Sequence, residues 1–149
     1  MKNKKLILLS LNARVGREVS ARLAKELGLA FVDLREKLTE QLAESGMLLG
    51  EFDAQSLAVQ ERETLVQVIA NIAQVIFVDY ELYINNKELF SSETKLYLKV
   101  AKDKLDEADK LNKLAFESRD RKLTATCKVV SYENVTKAIS EIKQILGDK

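Results

Sequence analysis

The chain contains no histidine, no proline and a single cysteine, Cys127. Zinc sites built from Cys and His, histidine general bases, and Ser-His-Asp or Cys-His nucleophilic systems are therefore excluded. A lone cysteine also excludes an intrachain disulfide, while a hard-cation site made of oxygen ligands stays open. Without proline, helix ends must be set by Gly, Asn, Asp and Ser. No run of eighteen apolar residues is present, so no membrane-spanning helix is expected. The basic start, Met1 to Lys5, precedes an apolar run too short for a signal peptide, and Asn12, Arg14 and Arg17 follow where a cleavage site belongs. Charge of one sign is missing too: 24 Lys and Arg face 23 Asp and Glu, leaving a net charge of +1. No overall field draws nucleic acid or anionic lipid. These absences predict a cytoplasmic protein that binds neither nucleic acid nor membrane.

What is present suits a soluble domain. The 149 residues are 46% apolar and 32% charged, which predicts one domain over 1–149 with one core. Lys5 to Leu11 is a nearly continuous apolar run of strand length, the pattern of a central parallel strand covered on both faces. A turn is expected over Asn12 to Gly16. Val19, Leu23, Ala24 and Leu27 then follow at helical spacing, with Gly28 as the stop. Leu29 to Val32 reads as a strand, Asp33 as the N-cap of a helix ending near Gly46, and Asp53 to Gln74 as a helix feeding the strand Val75 to Val78. Leu82 to Phe90 is ambiguous, with a short helix expected over Asn86 to Phe90. Strands over Lys95 to Val100 and Cys127 to Val130 enclose a charged helix from Lys102 to Arg121, and a helix over Glu133 to Leu146 completes the chain. The alternation predicts a three-layer α/β/α sandwich with a central five-stranded parallel sheet. Cys127, set in an apolar segment, reads as a buried structural residue.

The first third of the chain carries a more specific pattern. Lys5 to Gly16, then Val19 to Asp33 with Arg22-Leu-Ala-Lys-Glu-Leu-Gly-Leu-Ala-Phe-Val-Asp33 at its centre, and later Val75-Ile76, resembles the shikimate kinase family. In that family an apolar strand ends in a GxxGxGK loop followed by Ser or Thr, the next helix reads roughly GRxLAxxLG, and a strand ending FxDxD follows. The resemblance implies a P-loop kinase fold, with Asn12, Gly16, Arg17 and Glu18 at the phosphate loop and Asp33 and Arg119 at the substrate site.

The departures from the pattern matter as much as the matches. A phosphate cradle needs glycines that let backbone N–H groups approach, a lysine for the outer phosphates and a hydroxyl for magnesium. Leu11 stands at the first glycine, Ala13 or Arg14 at the middle one, Arg17 at the lysine and Glu18 at the hydroxyl. Arginine is a planar fork where a point charge belongs, and a carboxylate at Glu18 repels phosphate while suiting the positive end of a helix. The second acid of FxDxD is Arg35. The substrate-clamping arginine falls in register at Gln60, with Arg62 displaced. The glycine turn after the third strand is Phe77 to Glu81, which predicts a partly filled pocket, and the segment before Arg119 is too short for a full lid.

Two accounts of these residues follow. In the one favoured, Gly16 is a loop residue, Arg17 a solvated cation and Glu18 a first-turn acid. The chain is then a degenerate relative with no catalytic residue, cofactor or metal, acting on another protein as an interaction or regulatory module. In the alternative it remains an ATP-dependent small-molecule kinase, or a nucleotide sensor without turnover. There Arg17 holds phosphate, and Asp33, Asp79 or Glu18 holds magnesium.

Overall fold

The computed structural model describes residues 5–44, 54–70, 74–91, 94–100 and 113–146. Five strands are formed: β1 (Lys5–Ser10), β2 (Ala30–Asp33), β3 (Gln74–Val78), β4 (Thr94–Val100) and β5 (Lys128–Tyr132). They make one sheet in the order β2-β3-β1-β4-β5, and every neighbouring pair is parallel. The helices are α1 (Ala13–Leu27), α2 (Leu34–Glu44), α3 (Ala54–Ala70), α4 (Tyr80–Asn85), α5 (Lys113–Thr126) and α6 (Val135–Ile145), with a 3-10 turn over Lys87–Phe90.

Alternation along β1 shows why its apolar run is unbroken. Successive side chains on a strand point to opposite faces. Leu6 and Leu8 enter a core with Val15, Val19 and Leu23 of α1 and Ile139 and Ile142 of α6. Ile7 and Leu9 enter a second core with Leu34 and Leu38 of α2, Leu65 of α3, Tyr83 of α4 and Leu123 of α5. Helices thus cover both faces, and the three-layer sandwich with a five-stranded parallel sheet is what the sequence predicted.

Polar contacts fasten the layers. Tyr97 of β4 donates its hydroxyl hydrogen to Asp120 Oδ1 of α5 at 2.7 Å, and Lys99 Nζ lies 3.3 Å from the other carboxylate oxygen. Gly28 ends α1 with φ of 71°, a left-handed conformation that suits glycine, and Leu29 N–H returns to Ala24 O at 2.9 Å.

Some boundaries differ from expectation. The short helix expected over Asn86 to Phe90 is present as the 3-10 turn Lys87–Phe90, and α4 precedes it unforeseen, because Asp79 caps it by accepting from Leu82 N–H at 2.9 Å. The described charged helix is Lys113–Thr126, and the Lys102 to Asn112 part of that expectation lies outside the described residues. Cys127 falls between α5 and β5 and is half-buried, with its sulfur 3.9 Å from the Tyr83 hydroxyl. Among the described residues, no helix is long and apolar enough to cross a membrane.

Candidate functional site

In an open parallel sheet, ligands settle at the carboxyl ends of the strands. At the end of β1 the backbone turns immediately into α1. Only Leu11 and Asn12 separate strand from helix. Asn12 is extended at φ −106° and ψ 105°, its side-chain oxygen accepts from Val15 N–H at 3.2 Å, and its carbonyl accepts from Gly16 N–H at 3.0 Å. Asparagine is a strong N-cap because its short side chain satisfies donors that the first turn leaves free.

The expected turn over Asn12 to Gly16 is therefore a correction: from Ala13 onward the segment is helical. Gly16 is a buried helical residue rather than a loop residue. Its lack of a side chain lets α1 lie against the ring of Phe77, since a Cβ there would come 2.8 Å from Cδ1 and 2.9 Å from Cζ, and closer still to Cε1. Glu18 is the sixth residue of the helix, not a first-turn acid, and it is exposed. The favourable meeting of its charge with the helix end does not arise, because that effect fades beyond the first turn.

Arg17 and Asp33, assigned from sequence to separate roles, meet each other. Arg17 Nε donates to Asp33 Oδ2 at 2.5 Å, and its guanidinium lies 5.9 Å from the centre of the Phe77 ring. The Asp33 side chain is only 5% exposed, and its second oxygen accepts from Glu36 N–H at 3.4 Å, at the start of α2. Arg17 thus turns away from the helix N-terminus toward the end of β2.

Beyond β1 and β3 lies a cleft of 370 Å³, lined by Ser10, Leu11, Ala13, Arg35, Phe77, Asp79, Tyr80, Glu81 and Arg119. Arg35 crosses it. Its Nε donates to Asp79 Oδ2 at 2.9 Å and its NH2 to Asp79 Oδ1 at 3.4 Å, while its NH1 sits 3.6 Å from Glu61. A two-pronged guanidinium contact fixes direction as well as distance. Burial works against the Arg35 charge, but the hydrogen bond and field of Asp79 outweigh it and raise its pKa. Arg119, on α5, stacks over Tyr80 at 5.0 Å from the ring centre. Arg62 pairs with Glu88 on the far side of α3. An ion pair whose two members lie 44 positions apart thus crosses the cleft.

Sequence reasoning had noted Arg35 and Asp79 singly and missed that they touch. The available signal was the pairing of two opposite changes against one family pattern, an arginine where an acid belongs and an acid where a glycine belongs. Among the described residues, no group of three or more His, Cys, Asp and Glu could hold a metal ion.

Glu61 supplies a pH test of this network. Burial pushes its carboxyl above its usual 4.5, Arg35 pulls it down, and Asp79 and Glu81 push it further up. The folded state therefore holds the Glu61 proton more tightly than the unfolded state. Its contribution to stability is complete below the unfolded pKa and is lost as pH rises through the folded one. Glu61→Gln, fixed in the neutral form, gains stability relative to the parent as pH rises through and above the ordinary carboxylate range in paired thermal melts. A constant difference across that range would sink this account.

The strand order, the parallel sheet and the helices on both faces match the α/β fold that P-loop kinases adopt. Within that class the chain is similar to shikimate kinase from Bacteroides thetaiotaomicron, at TM-score 0.74 and 16% identity over 97% of this chain and 98% of that one. It is similar to Acinetobacter baumannii shikimate kinase in complex with shikimate, at 0.71 and 15% over 98% and 95%. Dephospho-CoA kinase from Campylobacter jejuni follows the same fold at 0.55 and 15%, over 95% and 96%. No family model and no curated protein matches the chain.

Proposed function

We propose that this chain uses a shikimate kinase fold without the kinase reaction, binding no nucleotide at the end of β1 and acting as an interaction or regulatory module for another protein. The observation that carries this reading is the start of α1. A phosphate cradle requires a looped backbone whose N–H groups converge on oxygen atoms. Here Ala13–Leu27 is helix, the Asn12 side chain takes the Val15 N–H of its first turn, and Gly16 faces Phe77. The cation at Arg17 is engaged by Asp33. The Arg35, Asp79 and Glu61 network supports the same half of the reading, because it sets paired charge across the cleft at the ends of β1 and β3.

Titration with ATP and ADP, with and without magnesium, tests it. A ligand at a hundred times its dissociation constant adds about 2.7 kcal/mol of stability, or roughly 5–10 °C in melting temperature for a domain of this size. The expected response to both nucleotides is flat, and shikimate is not phosphorylated. The Arg17→Lys, Glu18→Ser double variant stays equally flat, because the obstacle is the backbone. A nucleotide-dependent rise in the parent overturns the proposal. A rise only in the double variant moves the obstacle from backbone to side chains.

A further inference from the structure

The helix α3 has an inner and an outer side. Its inner side packs Thr64 and Leu65 against the core, each no more than 2% exposed. Its outer side carries two half-exposed valines, Val59 at 52% and Val66 at 51%, in a helix with apolar residues on both sides. A helix apolar on more than one side is one that has more than one neighbour. Arg62 and Glu63 between the valines, with Gln67 next to Val66, complete an open groove of 540 Å³.

We propose that this face is the contact with a second copy of the chain, two α3 helices packing antiparallel across a two-fold axis. The order of residues along the groove is what selects this occupant. An axis crossing α3 midway between Arg62 and Glu63 sets Val59 against Val66 of the second copy and Arg62 against its Glu63. The same axis repeats both contacts in reverse. A two-fold interface must be self-complementary in this way, with each patch meeting itself reversed. The valines are seven residues apart, two helical turns or about 10 Å, so both apolar contacts and the central charge exchange lie on one stripe. Glu63 has no ion-pair partner among the described residues. Arg62 touches Glu88 at the surface and has a long apolar stem that can lie along the valines. The patch is small, so the association is weak and depends on concentration. The proposal is independent of the nucleotide question.

Sedimentation velocity on the full chain, from about 10 µM to about 1 mM, reads the monomer and dimer fractions directly. The dimer fraction is expected to rise over that range. Val59→Asp and Val66→Asp each weaken association at least about tenfold, and Val59→Ser and Val66→Ser weaken it with less risk to folding. Arg62→Glu weakens it as well, by setting two acids opposite one another. The double exchange Arg62→Glu, Glu63→Arg restores it to within about threefold of the parent. That rescue separates the dimer from the Arg62 contact with Glu88, which both charge variants lose. A parent that stays monomeric throughout, valine variants that dimerise like the parent, or a double exchange without rescue would each overturn the proposal.

Discussion

Gly16→Ala is expected to lower stability by about 2–3 kcal/mol, the range for forcing a methyl group into a packed core. The opposing effect is known: alanine is a better helix former than glycine by about 1 kcal/mol, and Gly16 is helical. The clash wins because the added Cβ falls within 2.9 Å of Phe77 ring carbons, where carbons rest at about 3.5–4.0 Å. The ring cannot swing out, since Phe77 is 1% exposed on the second strand from the edge of the sheet. Melting temperature falls by roughly 5–10 °C. Phe77→Leu opens space at the same point, so the double variant is less damaged than the sum of the two single ones, with a coupling of about 1–2 kcal/mol. Strict additivity, or a Gly16→Ala variant as stable as the parent, would place Gly16 in a loop clear of the ring.

Asp79→Ala has the second large effect, because one carboxylate serves two ends. Its Oδ1 accepts from Leu82 N–H and begins α4, and both oxygens hold Arg35. Loss of the cap costs about 1 kcal/mol. Loss of the two-pronged pair adds about another 1 kcal/mol, because both side chains are about a third exposed and solvent screens them. Asp79→Asn keeps an accepting oxygen for the cap and removes the charge, so it costs about half as much in urea unfolding. If Asn and Ala variants unfold at the same midpoint, the cap contributes nothing and α4 is held by packing through Leu82 and Tyr83 alone.

Much of the sheet was legible because the relevant physics is local. Lys5 to Leu11 could only be a strand buried on both faces, and Gly28 after a periodic run could only be a helix stop. The start of α1 was misread for a reason that is equally specific. Asn12 carried a helix-start signal, but Gly16 four positions later drew the reading toward a turn. Glycine marks both a flexible backbone and a place where another group comes close, and only the position of Phe77, 61 residues further on, separates the two. The six-residue α4 spans too few turns to show a period, so its capping residue was the sole cue. The Arg35 contact with Asp79 joins residues brought together by the order of β2 and β3, which spacing along the chain does not show and only the paired departures from the family pattern hinted at.

The central place of β1 bears on how the chain is made. Its partners begin at Gln74 and Thr94, so this apolar central strand is made before them and remains unpaired until those segments have been synthesised. At ribosomal speed this interval is on the order of ten seconds. Until then the amphipathic α1 that follows directly is the first element able to shelter Leu6 and Leu8, and a nascent chain whose α1 is weakened is more exposed to chaperone capture or aggregation before any sheet exists.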